Sequence, residues 1–149
     1  MTMARTVQQQ IVQFNRIFKR YDDAYRKAAR YFDMPELSLW ILYVMRENPL
    51  CTQKDIGDLL LQSKQSIHSA LKTLEKEGYV VLEYAENNRR NKYIHLTEKG
   101  ITLAENTADK IVHAENIAFM TLTDTERETI LSLFERVTSS LRKEMQKIK

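Results

Sequence analysis

The sequence predicts a mainly α-helical protein of about six helices with one small β-hairpin. Its 149 residues include only three glycines and two prolines, so few positions interrupt a helix. Apolar residues recur at steps of three and four near both ends of the chain, which is the spacing of one helix face. Two runs rich in β-branched and aromatic residues lie between these ends. We expect one folded domain over residues 1–149.

Two long amphipathic helices are predicted at the ends of the chain. The first covers residues 5–33, and the last covers residues 123–148 behind a capping box formed by Thr123 and Glu126. Each helix carries an apolar seam that is too long for one small domain to cover. We therefore expect a homodimer whose interface is formed by these two helices.

Local capping signals are strongest between these helices, over about residues 36–98. An apolar helix is predicted first, followed by two short helices that Thr52 and Ser63 begin as N-caps. Gly78 can end the second short helix in the left-handed conformation. The segment therefore contains a pair of short helices joined by a tight polar turn.

The periodicity changes from helical to extended after Gly78. Residues 79–84 and 92–96 are predicted strands, and residues 85–91 form a polar connector whose asparagines tolerate turn geometry. The two strands form a hairpin with a basic tip. One further helix is predicted over about residues 98–120, as a linker to the last helix.

Two short helices followed by a hairpin are the elements of a winged helix-turn-helix, whose second helix enters the major groove of DNA. One face of this helix is apolar, and the other offers hydrogen-bonding side chains without a carboxylate near its N-terminus. Arginines at the hairpin tip suit a narrow minor groove. The candidate DNA-binding residues are Lys64, Gln65, Ser66, His68, Ser69, Lys72, Arg89 and Arg90.

Different roles are predicted within this set of residues. Gln65 and His68 are expected to contact bases, because glutamine pairs with adenine and a histidine can meet a base edge. Lys72 and Arg90 are expected to contact mainly the phosphate backbone or the minor groove. The chain is thus predicted to bind double-stranded DNA.

The composition gives little support to several other kinds of site. The formal net charge of +3 permits nucleic-acid binding without demonstrating it. Cys51 is the single cysteine, and we expect its burial in a short strand rather than redox sensing. His68, His95 and His113 are far apart in sequence, and no metal, cofactor or catalytic residue is predicted. The chain shows neither a membrane span nor an export signal, so we expect a cytoplasmic protein.

Three runs of the sequence resemble the central signature of the multiple antibiotic resistance regulator (MarR) family of bacteria: residues 74–80 (LEKEGYV), 88–90 (NRR) and 96–100 (LTEKG). The order of helices is similar over nearly the whole chain. The resemblance implies an intertwined homodimer that binds a palindromic operator and represses nearby genes until a small molecule or an oxidant releases it. Arg90 matches the family's minor-groove arginine, whereas Asn88 stands where an aspartate is common.

The resemblance also implies an effector site, because family effectors commonly bind between the dimerisation helices and the winged segment. Aromatic side chains of a mostly apolar pocket would suit a small aromatic effector. The candidate effector-binding residues are Tyr25, Phe32, Trp40 and Tyr43. The heptad spacing of the N-terminal aromatic residues also fits packing in the core or in the dimer seam.

Two other classes of function remain open. The main alternative is a winged-helix protein-interaction module that does not bind DNA, and the weaker one is a small helical enzyme. Salt-dependent binding of duplex DNA separates the regulator from both, because contacts to phosphates release counterions.

Overall fold

The computed structural model describes residues 4–86 and 88–148 of the chain. These residues contain seven helices and three strands. The side chains of Ala85, Asn88, Arg89 and Asn91 fall outside this description. The elements are α1 (Val7–Tyr31), α2 (Glu36–Glu47), β1 (Cys51–Thr52), α3 (Gln53–Leu60), α4 (Lys64–Lys76), β2 (Val80–Ala85), β3 (Asn88–Leu96), α5 (Glu98–Asn106), α6 (Ala108–Phe119) and α7 (Asp124–Met145). They form two compact units, Met1–Ile111 and Val112–Lys149.

The predicted N-caps are present. The hydroxyl of Thr52 accepts a hydrogen bond from the backbone N–H of Asp55 at 3.1 Å, and the Asp55 carboxylate accepts one from the Thr52 N–H at 2.8 Å. Ser63 caps α4 by accepting from the N–H of Ser66 at 3.1 Å. These bonds satisfy backbone donors that a helix N-terminus otherwise leaves unpaired. They fix where the two short helices begin.

The hairpin pairs with β1 and forms one antiparallel sheet of three strands. The strand order is β1-β3-β2. Cys51 of β1 lies opposite Ile94, and Tyr84 of β2 lies opposite Lys92. The sequence predicts the hairpin and a short strand at Cys51, but not their pairing in one sheet. This pairing buries Cys51.

The hairpin connector is shorter than predicted. The sequence places a connector over residues 85–91, whereas β2 extends to Ala85 and β3 begins at Asn88, after an irregularity in register beyond Tyr84. Asn87 of the predicted connector lies outside the described residues. Arg89 and Arg90 therefore belong to strand β3, close to the turn, instead of to a loop at the tip.

The predicted helix over residues 98–120 is divided into α5 and α6. Thr107 leaves helical geometry with φ −130° and ψ −83°. Its hydroxyl donates to the carbonyl of Leu103 at 2.6 Å, and the Asn106 amide donates to that of Thr102 at 2.9 Å. Such bonds offer the backbone carbonyls partners outside the helix ladder. The break at Thr107 adds the helix that the sequence does not predict.

Apolar side chains from α2, α3, α4, β2 and β3 form the core of the winged segment. Each is worth about 1.5–3 kcal/mol when fully buried, so the core holds α4 firmly against the sheet. The largest fully buried members are Ile41, Ile56, Ile67, Leu71, Val80 and Ile94.

Hydrogen bonds tie the end of α4 to the start of α5. The Thr97 N–H donates to the carbonyl of Tyr79 at 3.0 Å, and the Thr97 hydroxyl donates to that of Gly78 at 2.6 Å. The Lys99 ammonium group donates to the carbonyl of Glu77 at 2.7 Å and lies 4.6 Å from the centre of the Tyr79 ring. Gly78 has the predicted left-handed conformation, with φ 82°. These contacts set the direction in which β2 leaves α4.

An ion pair joins α2 to the first turn of α6. Nε of Arg46 donates to one carboxylate oxygen of Asp109 at 2.9 Å, and Nη2 donates to the other at 2.5 Å. This hydrogen bonding raises the pKa of Arg46. The bidentate geometry fixes both direction and distance between the two helices at this point.

The two terminal helices, α1 and α7, each expose an apolar face. In α1 the exposed apolar side chains include Val7, Ile11, Phe14, Ile17, Phe18 and Tyr21. In α7 they include Ile130, Leu131, Leu133, Phe134, Val137, Leu141 and Met145. Within the described residues, no helix is both long and apolar enough to cross a membrane.

Candidate nucleic-acid interface

Helix α4 turns one face into the core and the other towards solvent. Ile67, Leu71 and Leu74 are buried. The exposed candidates on this helix are Lys64, Gln65, His68, Ser69 and Lys72. This division is the one that the helical period predicts. Because α4 has no acidic residue in its first turn, its positive dipole end stays uncompensated there.

Ser66 differs from the other candidates because it is half-buried. Its hydroxyl oxygen accepts a hydrogen bond from the Ser63 hydroxyl at 2.9 Å, while its N–H donates to the same Ser63 oxygen. Ser66 is thus engaged in the N-terminal cap of α4. Ser66 therefore helps to fix the start of α4, a role that the sequence does not indicate.

A tight turn positions α4 beside α3. Leu61 adopts the left-handed conformation with φ 51°, and the Gln62 N–H donates to the carbonyl of Gly57 at 3.0 Å. The side-chain amide of Gln53 also reaches the carbonyl of Lys64, at 3.5 Å. The first turns of α3 and α4 therefore lie next to each other at the surface.

A cleft of about 560 Å³ lies between α3, α4 and β3, and we refer to it as the basic cleft. It brings together three of the predicted DNA-binding residues, Lys64, His68 and Arg90. Lys72 follows His68 by one helical turn. The full lining is Thr52, Gln53, Lys54, Gly57, Asp58, Gln62, Lys64, His68, Arg90 and Lys92.

Lys92 is a cationic residue of the basic cleft that the sequence analysis does not identify. It stands two positions after Arg90 on β3, and its ammonium group lies 5.1 Å from the centre of the Tyr84 ring. Alternate residues of a strand share a face, so the spacing from Arg90 is the signal that indicates it. The aromatic ring restrains Lys92 beside the cleft.

The remaining candidates of α4 lie on another side of the helix. Gln65, Ser66 and Ser69 line a groove of about 520 Å³ between α4 and the start of α2. The eight candidates therefore do not form one patch. Arg89 cannot be assigned to either side, because its side chain lies outside the described residues.

The four candidate effector-binding residues are all half-buried in the first unit. The Tyr25 and Trp40 rings lie 4.8 Å apart between centres, and those of Trp40 and Tyr43 lie 5.3 Å apart. Tyr25, Phe32 and Tyr43 pack against a small buried cluster that includes Leu39. Three of the four thus form one aromatic contact chain, and Phe32 joins them through the same cluster.

Cys51 is buried in β1, as expected. Burial raises the pKa of its thiol, and the negative charge of Asp55 raises it further. Because the thiolate is the reactive form, both effects oppose oxidation at this residue. His95 lies 3.5 Å from the Glu83 carboxylate on the sheet.

Comparison with known proteins identifies relatives of the whole fold and of its central segment. Residues 32–91 match the MarR family. YwhA, an HTH-type transcriptional regulator of Bacillus subtilis, is 30% identical over 98 residues, which cover 66% of this chain and 70% of YwhA.

Two solved structures share the fold. A MarR family regulator from Neisseria meningitidis has a TM-score of 0.80 at 21% identity, covering 94% of this chain and 99% of that one. The MepR-DNA complex of S. aureus has a TM-score of 0.64 at 24% identity, covering 87% and 96%. These likenesses confirm the mainly α fold with a winged helix-turn-helix.

Proposed function

The chain belongs to the MarR family of transcriptional regulators, and from this premise we propose that it binds operator DNA as a homodimer and represses nearby genes. The observation that carries the proposal is the basic cleft beside the exposed polar face of α4. Such a regulator acts on chromosomal DNA in the cytoplasm. A family of transcription factors also leaves no role for the small helical enzyme.

The geometry suits a duplex for two reasons. The exposed side of α4 offers hydrogen-bonding groups that can meet base edges in the major groove, among them Gln65 and Ser69. Arg90 and Lys92 place positive charge on the adjacent strand, where phosphates or a minor groove would lie. MepR, which has this fold, was determined in complex with DNA.

Homodimer formation is supported by the apolar faces of α1 and α7. Each face stays exposed over most of its helix, and exposed apolar patches of this extent mark protein interfaces. A second copy of the chain brings the same pair of faces, as a twofold-symmetric interface requires. The two copies of α4 can then bind two half-sites of a palindrome.

A small aromatic effector is the second part of the proposal. The linked rings of Tyr25, Trp40 and Tyr43 provide the aromatic surface for its binding. Trp40 is the only tryptophan of the chain, so its fluorescence reports on this cluster alone. Titration with salicylate should change Trp40 emission in a saturable way and weaken DNA binding. Unchanged emission and affinity would argue against an aromatic effector of this class.

DNA binding is tested by titrating a fluorescein-labelled duplex with purified protein and measuring anisotropy at several salt concentrations. The logarithm of the association constant should fall linearly with that of the salt concentration, with a slope of roughly −0.9 per neutralised phosphate. Lys92→Ala should flatten this slope. The matched control is Lys110→Ala, which removes the same charge from an exposed position on α6. A folded protein without salt-dependent binding would instead be the protein-interaction module.

A further inference from the structure

The basic cleft contains more positive charge than its own carboxylate can balance. Among its described lining residues, the cationic side chains are Lys54, Lys64, Arg90 and Lys92, and the acidic one is Asp58. Asp58 is already bonded to Lys54, whose ammonium group lies 2.6 Å from a carboxylate oxygen. The described lining residues thus carry three more positive charges than negative ones.

His68 is the one histidine among the described residues that line the basic cleft. It stands one helical turn after Lys64 and one turn before Lys72 on α4, and it shares the cleft with Arg90 and Lys92 of β3. Its carboxylate neighbour across the cleft, Asp58 of α3, is held by Lys54. Among the described lining residues, the charged groups that share the cleft with the imidazole are thus Lys54 and Asp58 of α3, Lys64 of α4, and Arg90 and Lys92 of β3.

We propose that the basic cleft is a phosphodiester site in which Lys64, His68, Arg90 and Lys92 hold one DNA phosphate, and that His68 takes up a proton when the phosphate binds. The proposal rests on the DNA binding proposed above. It changes the predicted role of His68 from contacting bases to contacting the backbone.

The proton uptake follows from electrostatics. A phosphodiester in the cleft puts a negative charge next to the imidazole, and a negative neighbour favours the charged imidazolium. Histidine side chains change charge between about pH 5 and 8, so the coupling acts in the physiological range. Protonated His68 also becomes a donor at both ring nitrogens, which suits phosphate oxygens. DNA binding and proton binding then reinforce one another, as linkage requires.

A duplex of random sequence is the direct probe, because its binding depends on phosphates alone. Its association constant should fall as pH rises from about 6 to 8, by up to about tenfold per pH unit for one proton. The pH dependence should be much weaker in His68→Gln. In His68→Lys, which stays charged over this range, affinity should be nearly independent of pH and highest relative to wild type at pH 8.

The salt dependence gives a second readout. Because the imidazolium neutralises one more phosphate, the slope of the logarithm of affinity against that of salt should be steeper by about 0.9 at low pH than at high pH in wild type. This difference should vanish in His68→Gln. His95→Gln is the matched control, since it removes a histidine of β3 that lies beside Glu83 and does not line the basic cleft. It should keep the wild-type behaviour.

Two failures can be told apart. If wild type and His68→Gln bind the duplex with the same pH and salt dependence, His68 takes up no proton and this inference is wrong, although DNA binding stands. If folded wild-type protein shows no salt-dependent binding at any pH, the proposed function fails and the inference fails with it.

Discussion

Gly100 lies directly against the backbone of Tyr79: a β-carbon at position 100 would stand 1.9 Å from the Tyr79 carbonyl oxygen. At the same place the Gly100 N–H donates to the Thr97 hydroxyl at 3.0 Å, and the Thr97 N–H donates to the Tyr79 carbonyl at 3.0 Å. Two of the sequence runs that resemble the MarR signature thus meet in one contact. They hold α4, the hairpin and α5 together, and so position the nucleic-acid interface.

Gly100→Ala should destabilise the protein by about 1–3 kcal/mol, because backbone must move to admit the methyl group. Urea unfolding measures the change. Gly57→Ala is the matched control, since a β-carbon there meets atoms at an ordinary 3.5 Å. Alanine within helix α3 should stabilise by roughly 0.5–1 kcal/mol. Equal stability of Gly100→Ala and wild type would contradict the close contact.

Stability should also depend on the ionisation of Asp55. Its hydrogen bonds with Thr52 hold the pKa of the Asp55 carboxyl below the ordinary value of 3.8. A lowered folded-state pKa means that the stabilisation is present at neutral pH and is lost as pH falls through that pKa. Asp55→Asn should cost about 0.3–1 kcal/mol at pH 7, the usual worth of a carboxylate at a helix N-terminus.

The difference between Asp55→Asn and wild type should shrink at acidic pH, where the carboxyl is protonated in both states. Urea unfolding at several pH values measures it. Glu128→Gln serves as the control for loss of an exposed carboxylate. A cost of Asp55→Asn that stays constant from neutral to acidic pH would show that charge has no part in this cap.

Readout of the operator should separate two residues of α4. Gln65→Ala should change which sequences are preferred, at a cost of roughly 1–3 kcal/mol on the best site. Lys72→Ala should instead weaken binding to all sequences alike and reduce the salt slope by about one unit. Selection of sequences from a random duplex pool distinguishes the two. If both variants weaken binding to all sequences equally, this face of α4 does not contact bases.

The dimer interface should depend on the apolar face of α7. Removal of residues 135–149 should abolish both dimerisation and folding, because it deletes the exposed apolar side chains of Val137, Leu141 and Met145. Leu141→Glu should weaken the dimer without deleting any residue. Lys143→Glu is the control and should leave the dimer intact. Sedimentation and circular dichroism check these outcomes. A truncated chain that is monomeric and well folded would contradict this interface.

Some features of the fold could be predicted because they depend on neighbours in sequence. The caps at Thr52 and Ser63 and the left-handed Gly78 belong to this kind. The break at Thr107 was missed because it depends on side chains that bond the preceding helical turn in competition with the ladder. The pairing of β1 with β3 could not be predicted, because a strand of two residues is too short to show a periodic pattern.

The candidate interface shows the same limit. The outward face of α4 follows from its apolar period, so Lys64, His68 and Lys72 could be assigned to it. The grouping of Lys64 and His68 with Lys92 depends on how β3 packs beside α4, which no local pattern contains. The separation of Gln65 from His68 likewise requires the positions of α2 and α3.

The measurement that most directly tests the central claim compares two duplexes at physiological salt: a sequence selected from a random pool and its shuffled counterpart. A sequence-specific regulator should bind the selected duplex at least about 1,000-fold more tightly, with two chains per duplex by sedimentation. Equal affinity for the two duplexes, or one chain bound per site, would contradict the account of a dimeric operator-binding protein.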